Sequence, residues 1–287
     1  MGRPKRSSPR YGTRPNRMSD VPAALLPVAL RAAEMAGDLV RTRAPGLVTA
    51  KGDRDMASEV DYAVERAVLD HLRERTPDIA VLGEEDGVTG DTAGELLWVI
   101  DPVDGTANFV RNIPLCGVSI GLVERGRPIV GVIDLPFLGT RYHAAQHTGA
   151  YLGGRRIRTS MTTDLEDAIV AVGDYAVGEG AEAKNRQRIA LTEHLAANVQ
   201  RVRMLGPAVI DLAWVAEGKL DASITLSNKP WDSAAGVIIA REAGAKVIDH
   251  DGTEHEYTSS STIAAAPTVA KKIVTLIGDS GKGLTHD

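Results

Sequence analysis

Trp98-Val99-Ile100-Asp101-Pro102-Val103-Asp104-Gly105-Thr106-Ala107-Asn108-Phe109 is the stretch from which the rest of the chain can be read. It begins as an apolar run of strand type and ends in two carboxylates, Asp101 and Asp104, followed at once by Gly and Thr. Asp101 comes where the strand is expected to stop. Pro102 has no N–H and a fixed φ, so it biases the residue before it away from helix. Asp104 falls where a helix N-cap would sit, with Gly105 and Thr106 in the first turn. A strand edge then aims one carboxylate and a tight turn aims the other, with free backbone N–H groups at a helix start. Such a place suits a hard cation beside a phosphate. Taken alone, Asp-Pro-x-Asp-Gly is ordinarily a turn, because Asp, Pro and Gly each have turn roles. Two remote stretches change that reading.

The 287-residue chain is long enough for one large core or two lobes, and 43% hydrophobic with 25% charged residues is ordinary for a soluble globular protein. Aromatic residues make up only 4%, so aliphatic side chains and Ala must fill the core. A net charge of −5 argues against a general nucleic-acid binder. The single cysteine, Cys116, excludes an intrachain disulfide and a Cys-based metal cage, and its strand-like neighbours suit a buried structural thiol. No apolar run reaches the roughly eighteen residues needed to cross a bilayer. Residues 1–19 are basic and rich in Ser, Thr and Pro, with no acid before Asp20 and no apolar h-region, so they read as a disordered tail rather than a signal peptide. Met18 is an alternative start. Residues 281–287 read as a second flexible tail. A cytoplasmic protein is the expectation.

Outward from the opening stretch, residues 23–43 have helical spacing, stopped by Ala44-Pro45-Gly46. Lys51-Gly52-Asp53-Arg54-Asp55 reads as a polar loop. Ser58 and Asp61 mark the start of a helix running to about Glu74. A short strand, Ile79–Leu82, ends in Gly83-Glu84-Glu85-Asp86-Gly87, again an apolar strand delivering a carboxylate. Beyond Phe109 the chain turns to β, with a hairpin of Cys116–Glu124 and Pro128–Leu135 about Arg125-Gly126-Arg127, then short strands at Thr140–Ala145 and Gly149–Ile157. Neighbouring antiparallel strands are the natural sheet. From about 165 strands and helices alternate, which predicts an α/β second lobe. Strands fall at 168–172, 199–204, 220–226, 246–248 and 263–266, and helices at 181–197, 206–217, 230–242 and 268–277. The expected division is a lobe over 20–160 carrying most of the acidic site and a lobe over 161–280.

The third acidic stretch is Trp231-Asp232-Ser233-Ala234-Ala235-Gly236 at a helix start, where Asp232 by itself reads as an N-cap. Brought together, Glu84, Asp101, Asp104 and Asp232 would repel one another strongly without cations. Oxygen-only ligands favour Mg²⁺ or Mn²⁺ over zinc. Phosphate monoesters hydrolyse very slowly in water, and two metals about 3.5–4 Å apart can activate a water and stabilise the leaving oxygen. The scattered histidines show no i, i+4 metal pair, and no Gly-x-Ser-x-Gly is present.

The trio Gly83-Glu84-Glu85, Asp101-Pro102-Val103-Asp104-Gly105-Thr106 and Trp231-Asp232-Ser233-Ala234-Ala235-Gly236 resembles the inositol monophosphatase family of Mg²⁺-dependent, lithium-sensitive phosphatases, in order and spacing over roughly 23–277. The resemblance implies a layered α-β-α-β-α sandwich and direct attack by water on the phosphate ester. It implies one metal on Glu84, Asp101 and the Val103 carbonyl, and a second on Asp101, Asp104 and Asp232. Thr106 and Glu84 would orient the water, and the N–H groups of Gly105 and Thr106 would bind the phosphate. Glu85 is expected behind these ligands, with Lys51 and Asp55 in a loop that approaches them.

The substrate pocket is expected to include Asp104, Gly105, Thr106, Ala208, Thr225 and Asp232. In inositol monophosphatases a glutamate stands seven residues before the Trp-Asp aspartate; here that residue is Thr225, and Gly206-Pro207-Ala208 replaces Gly-Ser-Ala. Both changes touch the polyol pocket and none removes a metal ligand. Asp211 is spaced to face the same pocket or to be a buried structural acid. The expected activity is phosphomonoester hydrolysis, with inositol 1-phosphate first. Histidinol phosphate, fructose 1,6-bisphosphate and a 3′-phosphonucleotide are alternatives. So is a non-catalytic member that binds RNA polymerase or another partner. A homodimer is the expected assembly.

Overall fold

The computed structural model describes residues 21–52 and 55–282, so the basic tail and the last residues of the chain lie outside it. Helix α1 (Val21–Thr42) is followed by a two-stranded hairpin, β1 (Val48–Gly52) and β2 (Asp55–Ser58). Of the stretch read from sequence as a polar loop, Lys51 and Gly52 end β1 and Asp55 begins β2, with Gly52 paired to Asp55, while residues 53 and 54 lie outside those described. Helix α2 (Glu59–Arg75) starts where Ser58 and Asp61 form a capping box, each satisfying a backbone N–H of the other's turn.

Next come β3 (Ala80–Gly83), β4 (Val88–Thr89), β5 (Leu96–Asp104) and the short helix α3 (Thr106–Val110). They are followed by β6 (Gly117–Glu124), β7 (Arg127–Leu135), β8 (Thr140–Ala145), β9 (Gly149–Leu152) and β10 (Arg155–Arg156). The β6–β7 turn is the two-residue Arg125-Gly126, both at positive φ, and Arg127 belongs to the strand. These strands form one sheet in the order β10-β9-β8-β7-β6-β5-β3-β4. Only β3 and β5 run parallel, with Gly83 beside Ile100. Their carboxyl ends therefore open on the same edge, which is what carries Glu84 to Asp101.

The second half contains β11 (Ile169–Val172), α4 (Ala181–Asn198), β12 (Arg201–Arg203), α5 (Ala208–Glu217), β13 (Ala222–Thr225), α6 (Pro230–Glu242), β14 (Lys246–Ile248), β15 (Thr262–Ala265) and α7 (Pro267–Lys282). The sheet order is β12-β11-β13-β15-β14, with β12, β11 and β13 mutually parallel. The ends of these three strands deliver the segment before Gly206, Asp174, and Thr225 with Ser227 to one edge.

The layers follow from which faces are apolar. Helices α1 and α2 bury Ala29, Ala33, Val64, Val68 and Leu72 against the eight-stranded sheet. Helices α5 and α6 lie between the two sheets, and α4 and α7 cover the far side of the five-stranded one. The result is the α-β-α-β-α sandwich expected from sequence. Cys116 is buried. Among the described residues no helix is long and apolar enough to cross a membrane.

Helix α6 approaches the large sheet unusually closely, because small residues face each other. A Cβ on Gly131 would stand 2.4 Å from the Ala235 carbonyl oxygen, and one on Gly121 would stand 3.1 Å from the Ala235 nitrogen. On its other side, a Cβ on Gly236 would meet Leu212 of α5 at 2.4 Å. This contact fixes where the first turn of α6, with Asp232, meets the end of β5. Gly131→Ala is therefore expected to lower unfolding free energy by about 1–3 kcal/mol, read by urea denaturation. Gly154→Ala, where an added methyl meets nothing within 4 Å, should change it by less than about 0.5 kcal/mol.

Candidate active site

The three acidic segments converge, with Met56, Asp174 and Gly206 from other parts of the chain, on one cavity of about 240 Å³ lined by Glu84, Asp101, Val103, Asp104, Gly105, Thr106, Asn108 and Asp232, among others. All four acids singled out in the sequence are present, together with Val103, Gly105 and Thr106. A second cavity of about 370 Å³ shares Asp104, Asp174, Gly206 and Asp232 with the first and extends past Ala208 and Thr225 to Ser227, Lys184 and Arg188. Ala208 and Thr225 thus line the extension and not the acidic cavity itself.

Strand β5 does not stop at Asp101. It continues to Asp104 with an irregularity between these residues, Asp101 pairing with Ser119 and Asp104 with Gly117. Pro102 can sit there because such an interruption needs no ladder hydrogen bond from it. The Asp101 side chain accepts the Val103 N–H at 3.0 Å, which turns the backbone at this point. The N-cap of α3 is Gly105, not Asp104. Gly105 has φ of 90°, and a Cβ there would also stand 2.5 Å from Pro207. Glycine is required on both counts.

Asp104 is instead turned toward the segment that starts α5, where it accepts the Val209 N–H at 2.8 Å. It therefore caps a helix remote in sequence, and its charge complements that helix's positive end. Asp232 is likewise not an N-cap. It lies in the first turn of α6, three residues after Lys229, and accepts the Lys229 N–H at 2.7 Å.

The turn after β3 is organised by a residue that the sequence did not mark, Glu65 of α2. This buried carboxylate accepts the N–H groups of Glu85 and Asp86 at 3.0 and 2.7 Å. A Cβ on Gly83 would collide with it at 2.3 Å, which accounts for glycine there. Lys51 reaches in from the β1–β2 hairpin, its Nζ 2.6 Å from Glu84 and 2.9 Å from Glu85. Burial opposes the Lys51 charge, but the hydrogen bonds and charges of both glutamates outweigh it and raise its pKa. Glu85 sits behind the cavity wall. The side chain of Asp55 is not among those described.

Asp61 is a second residue whose placement sequence reasoning missed, having been assigned only a capping role. It is fully buried and holds Ser58 with one oxygen, while the other lies 2.9 Å from the Thr106 hydroxyl. That hydroxyl is also 3.0 Å from the Val103 carbonyl oxygen. Asp174, directly after β11 and Gly173, was missed as well. It lines both cavities, but no local pattern marks it in the sequence. Asp211 is 1% exposed, lines neither cavity, and is pushed up to about 8 by burial and by the charge of Asp174.

The electrostatics are those of acids held too close. Burial raises the pKa of Asp101 well above the carboxylate range, and the charges of Glu84, Asp104 and Asp232 raise it further. Burial does the same to Asp104, with the Asp232 charge next and the Val209 N–H opposing. The acids share the cavity without closing a coordination shell. Among the described residues no three His, Cys, Asp or Glu side chains are grouped tightly enough to hold an ion. The arrangement offers an oxygen-lined, negatively charged floor, and beside it stands the start of α3, where the Gly105 carbonyl accepts the Asn108 and Phe109 N–H groups and those of Thr106 and Ala107 precede the first intrahelical bond.

A sequence model described as the inositol monophosphatase family matches residues 22–281. The inositol-1-monophosphatase ImpA of Mycolicibacterium smegmatis is 36% identical over 241 residues, 84% of this chain and 86% of that protein. The Nus factor SuhB of Escherichia coli is 34% identical over 259 residues, 89% of this chain and 96% of that protein. The IMPase of Thermotoga maritima superposes with a TM-score of 0.82 at 30% identity, covering 91% of this chain and 99% of that one. With the acidic stretches, the layer order and these likenesses in agreement, the chain belongs to the inositol monophosphatase family.

Proposed function

We propose that this protein is a Mg²⁺-dependent phosphomonoesterase that hydrolyses small polyol phosphates, with inositol 1-phosphate as the reference substrate. The observation that carries this reading is the mutual destabilisation of Asp101 and Asp104 with Glu84 and Asp232 at one cavity. Asp101 and Asp104, whose pKa is raised by burial and by the neighbouring charges of Glu84 and Asp232, suit a divalent cation that relieves the repulsion, and the all-oxygen donor set suits Mg²⁺ or Mn²⁺. Glu84, Asp101 and the Val103 carbonyl would hold one ion, and Asp101, Asp104 and Asp232 a second. Bound there, such ions would lower the pKa of a water and offset negative charge on the phosphate and the leaving oxygen.

The chain's own residues do the rest. The Thr106 hydroxyl donates its proton in a hydrogen bond to Asp61, which would leave a Thr106 lone pair to accept a hydrogen bond from the attacking water and so orient it. Glu84 is placed to orient the same water. The N–H groups of Gly105 and Thr106 bind phosphate oxygens. Asp104 keeps the start of α5, and so the Ala208 wall of the cleft, against the reacting group. Inhibition by LiCl and a homodimer are part of the same proposal. The name of the Escherichia coli relative, a Nus factor, supports one other reading, a partner-binding role with little or no turnover. Absence of phosphate release from every phosphomonoester tried would favour it.

Phosphate release from inositol 1-phosphate should require MgCl2 and stop with EDTA. Metal-independent release would refute the proposal. Asp101→Asn should reduce kcat by several orders of magnitude while leaving the unfolding transition in place, because Asp101 is assigned to both ions; near-normal turnover would count against that assignment. Folding raises the pKa of Asp101 and Asp104, so without metal the folded state holds more protons than the unfolded chain. Its stability then falls as pH rises from the ordinary carboxylate value through the raised one. Mg²⁺ should remove that loss, so the rise in Tm on adding MgCl2 is expected to be larger at pH 8 than at pH 5.5. An equal shift at both values would mean that these acids do not meet the ion.

A further inference from the structure

The cleft leading away from the acidic floor ends in cations. Lys184 and Arg188 lie one turn apart on α4 and line the larger cavity with Thr225 and Ser227. Arg188 is only 8% exposed. Its stem lines a small apolar cavity with Leu191, Met204 and Ile224, and its guanidinium donates to the Ser227 hydroxyl at 2.7 Å. A guanidinium carries five N–H donors, and buried ones are ordinarily matched by a carboxylate. Arg188 makes no ion pair with any described residue; Asp174, across the cleft floor, acts on it only through its charge. The neutral Thr225 lines this same cavity, so no carboxylate from β13 faces Arg188 across it.

We propose that this end of the cleft is a subsite for a second anionic group of the substrate, a phosphate or a carboxylate, bound by Arg188 and Lys184 while the ester to be cleaved lies at Asp104 and Asp232. The inference rests on the phosphatase reading and narrows its substrate class to phosphate esters with a distal negative charge. Arg188 supplies paired donors to a planar or tetrahedral oxyanion, and the exposed Lys184 adds a mobile charge at the mouth. Thr225 leaves the anion unopposed, where a carboxylate would repel it. A neutral polyol phosphate would leave the Arg188 donors without an acceptor and is the poorer substrate.

Two matched pairs of substrates test this with the full chain and MgCl2: fructose 1,6-bisphosphate against fructose 1-phosphate, and 6-phosphogluconate against glucitol 6-phosphate. The member with the distal anion should have the higher kcat/KM by about 10- to 100-fold in at least one pair. Preference in the bisphosphate pair alone assigns the subsite to phosphate, and preference in both assigns it to either anion. Arg188→Gln should abolish the preference mainly through KM of the anionic member, with the neutral member falling far less, and Arg188→Lys should keep part of it. If Arg188→Gln does not fold, Lys184→Gln on the exposed side of α4 should reduce the preference severalfold. Equal kcat/KM within both pairs would overturn the subsite, as would an equal loss on both members in a folded Arg188→Gln protein. Absence of Mg²⁺-dependent release from all four compounds would overturn the phosphatase reading itself, and the subsite with it.

Discussion

Acid crowding at the joined ends of β3 and β5 is the constraint on which the rest of the molecule depends. Two neighbouring strands of one sheet run parallel, so the residue after one and the last residues of the other leave the sheet at the same edge. Glu84, Asp101 and Asp104 are thereby brought together by backbone hydrogen bonding, whatever their charges prefer. Each ionised acid makes the next harder to ionise, and burial compounds the effect. A fold tolerates such a cluster only where protons, a cationic side chain or bound ions share it. Here Lys51 takes one flank, reaching Glu84 and Glu85 from a hairpin outside both large sheets.

The supporting structure holds those acids still. Glu65 and Asp61 are buried carboxylates whose partners are backbone and hydroxyl donors of the site segments, so α2 serves as a rigid back wall. The fourth acid arrives by a different route. Asp232 rides on a helix that can lie against the sheet only because Gly121 and Gly131 offer no side chains and α6 presents Ala234 and Ala235. The run Ser-Ala-Ala-Gly after Trp231-Asp232 is thus a packing requirement, and its effect on chemistry is to set the depth at which Asp232 meets Asp104.

The cleft is polarised along its length. One end is a cluster of oxygens with an excess of negative charge, and the other holds Lys184 and Arg188 on α4. Asp174 lies where the two cavities join. A phosphate ester spanning them, as proposed, would meet the acids through intervening cations and could offer a second negative group to the arginine. Neither half specifies a ligand alone. On the proposed reading, the acidic end would select for a phosphate with its metals, and the basic end would select among the alcohols that carry it.

Much of this was legible before any coordinates. The apolar run into Asp101, the Gly after Asp104 and the small residues after Asp232 each have a local physical reason. Helical and strand spacing located most elements to within a few residues, since periodicity is a property of the chain itself. Where local reasoning went astray, a partner far away in sequence had intervened. Asp104 turns from its own helix to cap α5, because that helix start has N–H groups needing an acceptor. Lys51, Gly52 and Asp55 read as loop residues until Val48–Ala50 find Met56–Ser58 across a hairpin and draw them into its strands. Glu65, Asp174 and Arg188 carry no marker at all: they are a mid-helix acid, an acid after a strand, and a basic residue on a polar helix. The role of Glu65 exists only once α2 lies behind the turn after β3, and those of Asp174 and Arg188 only once the ends of β12, β11 and β13 share an edge with α4. Sequence by itself determined which residues could do chemistry and which elements carry them. Tertiary structure decided which charges face one another, because that depends on strand direction and sheet order, and neither is written in any single stretch of the chain.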